Sequence, residues 1–167
     1  DTEMFYWSDD GTPAPADFQS SKDDKRWVEI WNDVFMQYEK KADGTLIPLK
    51  KPNVDTGMGL DRTLAVLNGQ KSVYDTELFK PLFEVIGLGN EILSGDELRK
   101  ARVIVDHIRA SVFIIADGIE PSNKDRGYVL RRLLRRAMVY GKLLNLQTTW
   151  LKALIGEAIT VYSSPYT

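Results

Sequence analysis

The stretch VDTGMGLDRTLAVL, residues 54–67, sets an acid, two glycines one residue apart, a second acid and an arginine ahead of an apolar run. NVDTGMG reads as a short strand that ends in a glycine-rich bend. LDRTLAVLNG then reads as a helix, with apolar residues at Leu60, Leu64 and Leu67 and a stop signal in Asn68-Gly69. A strand-to-helix junction of this kind belongs to a chain that mixes sheet and helix. Gly57 and Gly59 carry no Cβ, so the backbone can come close to a ligand or a neighbouring strand, and the helix beyond offers free N–H groups and a positive dipole end to an anion. Arg62 follows within the first turns, where its planar fork could grip a phosphate or stack on a base. Asp55 is an acceptor that could pair with an ammonium group. Spacing alone leaves a second reading open: a tight Gly-Met-Gly turn, Arg62 paired with Asp61 or Glu77, and Asp55 as a helix cap, because a lone G-x-G is weakly specific.

Upstream, residues 8–25 (SDDGTPAPADFQSSKDDK) have the composition of an exposed loop in which nothing regular is expected. Residues 27–41 and 45–49 are rich in aromatic and β-branched types and flank Asp43-Gly44, which predicts an antiparallel hairpin. Strict alternation would put Trp27, Glu29, Trp31 and Asp33 on one face and Val28, Ile30, Asn32 and Val34 on the other. Both faces mix bulky and polar side chains, as the floor of a ligand site does. Downstream, a second amphipathic helix is expected near residues 74–86, and a short link from Gly87 to Gly95 leads into three long helical patterns beginning DELRKARV, DRGYVLRR and TWLKALIG. The fold class is therefore α+β: an antiparallel sheet with helices in the first part, all helix in the second.

Composition narrows the function. The chain has 167 residues, a net charge of −2 and 43% hydrophobic residues, enough for a packed core. Charge is unevenly placed: residues 1–24 hold seven acids and one lysine, whereas residues 126–156 hold seven bases and no acid, which points to a local anionic partner. No cysteine and a single histidine, His107, leave no disulfide framework and no metal centre from this chain alone, and His107 is expected to be structural. No apolar run approaches a membrane span and the acidic start is unlike a signal peptide, so a cytoplasmic location without membrane contact is expected. At 100° per residue, Arg131, Arg132, Arg135 and Arg136 share an arc of about 140°, and Leu130, Leu133, Leu134 and Ala137 cluster opposite. That helix has no acidic i,i+4 partner, so local ion pairs do not account for the cluster, although acids of neighbouring helices such as Asp106 and Asp117 remain a possible match.

Two segments, EIWNDVFMQYEKKADGTLIPLKKPNVDTGMGLDR (residues 29–62) and ARVIVDHIRASVFIIADGIEPSNKDRGYVLRRLLRRAMVYG (residues 101–141), together resemble the alanyl-tRNA synthetase family of class II aminoacyl-tRNA synthetases. The signatures are the G-x-G-x-x-R of motif 3 within VDTGMGLDR and the PSN-x-x-RGYVLRR helix start. The resemblance implies that alanine is bound by Asp55, Gly57, Val34 and Asn32, with Asp55 meeting the amino group. It implies that ATP, with Mg²⁺, is bound by Arg62 and Gly59. No side chain acts as a nucleophile, since the alanine carboxylate attacks the α-phosphate and the protein supplies position and charge. For the acceptor stem of tRNA(Ala) the resemblance implies Asn123, Asp125, Arg126, Arg132 and Arg136; Asp125 stands where the resemblance implies Asn or Gly in other members. Shape discriminates poorly against glycine and serine, so editing is expected elsewhere, in a zinc-dependent family domain with no counterpart here.

Residues 1–88 are expected to be the C-terminal part of the catalytic domain and residues 89–167 the start of the helical tRNA-recognition domain. Motifs 1 and 2 have no counterpart in the sequence, so the chain is expected to be a fragment that works with the rest of a synthetase and is inactive alone. The alternative is a non-catalytic RNA-binding helical module with a vestigial synthetase-like sheet.

Overall fold

The computed structural model describes residues 1–8, 11–88, 93 and 95–166, and its packing divides between Val73 and Tyr74 into two compact units. The first holds strands β1 (Thr2–Trp7), β2 (Trp27–Lys40) and β3 (Leu46–Met58) and helices α1 (Phe18–Ser21) and α2 (Leu60–Leu67). The second holds a 3₁₀ turn ending at Asp75 and helices α3 (Lys80–Val85), α4 (Gly95–Ala116), α5 (Asp125–Leu143) and α6 (Trp150–Tyr162). This is the α+β class, a three-stranded antiparallel sheet in the order β1-β2-β3 followed by helices. No helix among the described residues is long and apolar enough to cross a membrane.

The hairpin turns where Asp43-Gly44 predicts. Gly44 has φ +88, and the Asp43 carboxylate accepts from the Thr45 N–H at 2.9 Å. β3 is longer than expected, running through Pro48 and Pro52 to Met58. It takes Pro52 into an irregularity: Tyr38 pairs with Pro48 and Met36 with Asn53, so five steps on β3 match two on β2. A strand cannot donate to the ladder from proline, and such a bulge removes the need. At the far end α2 stops where Asn68-Gly69 predicts. Gly69 takes φ +62, its N–H reaches the Val66 carbonyl at 3.1 Å, and the Gln70 N–H reaches the Ala65 carbonyl at 2.8 Å, the paired bonds of a Schellman cap.

Three expectations change. The loop of residues 8–25 is not wholly irregular: Asp17 caps α1 by accepting from the Gln19 and Ser20 N–H groups, and Phe18 packs against Phe5 and Trp27. Residues 9 and 10 of that loop lie outside the described residues, as do 89–92 and 94 of the link after Gly87. The single helix near residues 74–86 is instead a 3₁₀ turn and the short α3, because Pro81 sits in the first turn of α3, where its missing N–H costs nothing. With Phe79, Leu82 and Phe83 fully buried, α3 packs onto α6 and α4, so the packing boundary falls before α3 rather than after residue 88.

In the helical unit α4 supplies Ala101, Ile104, Val105 and Ile108 to the core, α5 supplies Leu130 and Ala137, and α6 supplies Leu154 and Ala158. The Tyr162 hydroxyl, at the end of α6, donates to the Leu78 carbonyl at 3.0 Å. Gly141 is where the Trp150 indole lies against α5: a Cβ there would sit 2.7 Å from the indole Cζ2.

Two measurements test this packing. Gly141→Ala gains helix propensity of up to about 1 kcal/mol but forces a rigid ring to move, at about 1–3 kcal/mol; the expected net result is a lower denaturant midpoint together with a shift in tryptophan emission. In the first unit, Arg26 forks onto the Asp24 carboxylate at 2.6 Å and stacks on Trp7 at 4.3 Å. Hydrogen bonds from the Arg26 side chain and N–H hold the Asp24 carboxyl down at about 2. A depressed carboxyl stabilises the fold above the ordinary value of 3.8 and loses that contribution as pH falls through about 2. Carboxyl NMR titration should find that low midpoint, and Arg26→Ala should return it toward the ordinary value.

Candidate functional site

Residues directly opposite in an antiparallel pair point to the same face. Val34 is opposite Asp55 and Asn32 is opposite Gly57, so these four expected site residues share one face of the hairpin. Their burial differs: Asn32 and Val34 are half-buried, whereas Asp55 and Gly57 are exposed. Neither Gly57 nor Gly59 takes a positive φ. An added Cβ at Gly57 meets nothing within 4 Å, so its bareness serves no neighbouring strand and leaves open space above the sheet. Gly59 is different, because a Cβ there would stand 3.2 Å from the Arg62 Cδ, and the arginine stem folds back across it.

The face holds more than strict alternation allows. Opposite β1, the register jumps from Met4–Trp31 to Phe5–Glu29, which leaves Ile30 as an extra residue on β2. Alternation along β1 is unbroken, so Trp27 and Glu29 move onto the face of Asn32 and Val34 instead of sharing a face with Trp31 and Asp33. Glu3 joins them by accepting from the Asn32 amide at 3.2 Å. Next to that bond Asp1, Glu3, Phe5, Phe18 and Trp27 line a hollow of about 580 Å³. Phe18, Glu3 and Glu29 were therefore missed from sequence. Asp17 followed by Ser20 is a capping signature that could have revealed the first; nothing in EIWND announces a bulge.

Arg62 lies apart from this group. Its Nη1 donates to the Glu29 carbonyl at 2.8 Å, while the Gly59 N–H makes the last ladder bond to the adjacent Ile30 carbonyl at 2.9 Å. Consecutive carbonyls of a regular strand point to opposite sides; the bulge turns both toward α2, and Arg62 takes the place of the ladder partner that β3 no longer provides. The guanidinium thus sits at the rim of the sheet. It also lines a hollow of about 230 Å³ with Tyr6, Val28, Ala65, Val66 and Lys71 on the opposite face. Among the described residues the arrangement is a face bearing Asp55 and a rim bearing Arg62. Among the described residues no three His, Cys, Asp or Glu side chains come together to hold a metal ion.

The helical unit carries the second group. Asn123, Tyr128, Arg131, Arg132 and Arg135 line a hollow of about 360 Å³ at the start of α5, and the Arg131 guanidinium donates to the Asn123 side-chain oxygen. Among the described residues no α5 arginine has an acidic partner within ion-pair distance, and Asp106 instead lies 3.2 Å from His107 Nδ1. Asp125 opens α5 with φ +48, a left-handed conformation that Gly, Asn and Asp adopt more readily than other residues. Arg126 is exposed and does not line the hollow, and Arg136 reaches over the Tyr140 ring. Arg131 and Arg135 are the lining residues that the sequence assignment left out, though both lie on the cationic arc.

Comparison with known proteins gives the two groups a common setting. The family model for class II (A) tRNA synthetases matches residues 2–167. The alanine–tRNA ligase of Magnetococcus marinus is 46% identical over 158 residues, an alignment that takes in 92% of this chain and 18% of that protein. The chain thus spans about a fifth of the length of the curated relative it matches. With every residue after Asp1 inside the matched range, and with the strand–bend–helix junction and the arginine helix both within it, the chain belongs to the class II (A) tRNA synthetases.

Proposed function

We propose that this chain is part of an alanine–tRNA ligase, contributing one portion of the site that joins alanine to ATP and the first helices that meet the tRNA(Ala) acceptor stem. The observation that carries the reading is the β2–β3 register, which sets a carboxylate, an amide, a small apolar wall and a bare glycine on one face. Asp55 pairs with the alanine ammonium, Val34 and Gly57 bound the methyl group, and Asn32, oriented by Glu3, bonds the substrate. Arg62 with Gly59 holds ATP phosphate or base at the rim. The alanine carboxylate oxygen attacks the α-phosphorus and pyrophosphate leaves; a ribose hydroxyl of the tRNA then attacks the acyl carbon and AMP leaves. Every contribution of this chain is placement and charge, not covalent participation.

Mg²⁺ carried on a triphosphate needs only one or two protein carboxylates. Glu29, half-buried on the Asn32 face and next to the carbonyl that anchors Arg62, fits that need, and the ion would offset phosphate charge when bound. In the helical unit the Asn123 hollow suits the shallow minor groove of A-form RNA, where base edges and phosphates lie within reach of short polar and long cationic side chains. Asn123 and Arg132 line it, Asp125 sets the helix start, and Arg126 and Arg136 extend the charge to either side. The chain acts with the remainder of a synthetase, and residues 1–167 alone give no alanine-dependent pyrophosphate exchange.

In a full-length ligase carrying this segment, Asp55→Asn should raise the KM for alanine about 10- to 100-fold, the worth of a charged hydrogen bond, and Arg62→Ala should raise the KM for ATP. An unchanged alanine KM in Asp55→Asn would remove the ammonium assignment. If both variants keep full exchange activity while tRNA binding persists, the non-catalytic RNA-binding module is the better description. For the helical unit, Arg132→Ala should flatten the slope of log K against log salt by about 0.7–0.9. An unaltered slope and affinity on titration with acceptor-stem RNA would remove Arg132 from the interface.

A further inference from the structure

The cationic row of α5 continues past the Asn123 hollow. Arg132, Arg136 and Tyr140 follow at i, i+4 and i+8 and so stack along one line of the helix, with Tyr140 about 12 Å further along the axis than Arg132. At that point the row meets α4. Arg99 Nη1 faces the Tyr140 hydroxyl at 3.4 Å, and the guanidinium carbons of Arg99 and Arg136 lie 5.6 and 5.7 Å from the centroid of the Tyr140 ring.

Asp96 occupies only one edge of Arg99. Its Oδ1 accepts from Nε at 3.1 Å and from Nη2 at 2.8 Å, and its Oδ2 pairs with Lys100 Nζ at 2.5 Å. The Nη1 edge remains turned toward Tyr140 and solvent. One carboxylate against Arg99, Lys100 and Arg136 leaves a net charge of +2 at the seam (3 − 1). Two guanidiniums on a single ring repel each other, and a phenol does not neutralise them. Both also pull the Tyr140 hydroxyl below its ordinary pKa of 10.0, a sign that negative charge is favoured at this point. An anion reaching the seam would find two fork edges and a hydroxyl donor around it, and would relieve the repulsion.

We infer that Arg99, Arg136 and Tyr140 form a second RNA-backbone site, a phosphate seat at the α4–α5 seam beyond the Asn123 hollow. This rests on the reading of the helical unit as an RNA binder and adds to it a contact that carries no sequence information. Phosphate contacts fix the position of a duplex and base contacts specify it. A seat about two turns beyond Arg132 therefore sets how the stem lies along α5. Asp96 acts as a positioning residue that holds the Arg99 fork open.

The test is fluorescence anisotropy of the 167-residue chain with two labelled RNA hairpins, one reproducing the tRNA(Ala) acceptor stem and one with its base pairs scrambled, over a range of salt. Arg99→Gln should weaken binding of both hairpins about three- to tenfold and flatten the salt slope by about 0.7–0.9. Tyr140→Phe keeps the ring and should weaken both about two- to fivefold with the slope unchanged. Asn123→Ala, in contrast, should weaken the acceptor-stem hairpin more than the scrambled one. Wild-type affinity in Arg99→Gln or in Tyr140→Phe, alongside weakened binding by Arg132→Ala, overturns this site and leaves the RNA reading intact. Failure of the unaltered chain to bind either hairpin overturns both.

Discussion

The pairing of β2 with β3 is the constraint on which the first unit depends. Side chains alternate with a period of two, so a slip of one residue would carry Asp55 to the Trp31 face and break up the group it forms with Asn32 and Val34. The turn at Asp43-Gly44 does not by itself fix this register, because the irregularity between Met36 and Tyr38 lets three extra residues of β3 accumulate on the way (5 − 2). The register is pinned at the site. Trp31 Nε1 donates to the Thr56 hydroxyl at 2.5 Å across the pair, and the Gly59 N–H closes the ladder on the Ile30 carbonyl at 2.9 Å. Each pin fails under a one-residue slip, so together they act as a local lock.

The bulge at Ile30 gives that lock its second use. By turning consecutive carbonyls toward α2, it provides an acceptor for Arg62 just where β3 ends, and by reversing parity it brings Glu29 and Trp27 to the Asn32 face. One inserted residue thus supplies both an anchor for the cation and a carboxylate on the face. Bulges concentrate beside functional sites for this reason: they re-aim side chains without breaking the sheet.

Much of this was legible in the sequence, and the rest was hidden for definite reasons. Asp43-Gly44 and Asn68-Gly69 are local signals whose geometry needs no tertiary context, and both turns form where those residues stand. The three long helices follow from apolar periodicity, and the arginine arc follows from the same arithmetic. Ile30 is silent because isoleucine suits either face of a strand and only the partner strand reveals that it is unpaired. The α1 turn is hidden by its brevity, since four residues cannot show a period and only the Asp17 cap betrays it. Pro81 was visible, but its reading as a first-turn residue rather than a mid-helix break depends on Phe79 and Phe83 being drawn into the core. At the candidate site strand alternation put Asn32 and Val34 on one face, but Asp55 and Gly57 were joined to them only by the family resemblance, because their place opposite depends on the β2–β3 register, and the rim position of Arg62 depends on the bulge.

The helical unit resolves a different conflict. A helix with Arg131, Arg132, Arg135 and Arg136 on one arc repels itself, and its own sequence offers no acid three or four residues from any of them. What holds α5 in place is the opposite side, where its buried residues are Gly127, Leu130, Ala137 and Gly141. Three of these four are small, so α4 and the Trp150 ring approach closely, and dispersion over a tight seam offsets the charge. On the exposed side Asn123 and Tyr140 mark the two ends of the cationic face. Stability is thus supplied on one side of α5 mostly by residues with almost no side chain, which leaves the other side free to carry charge.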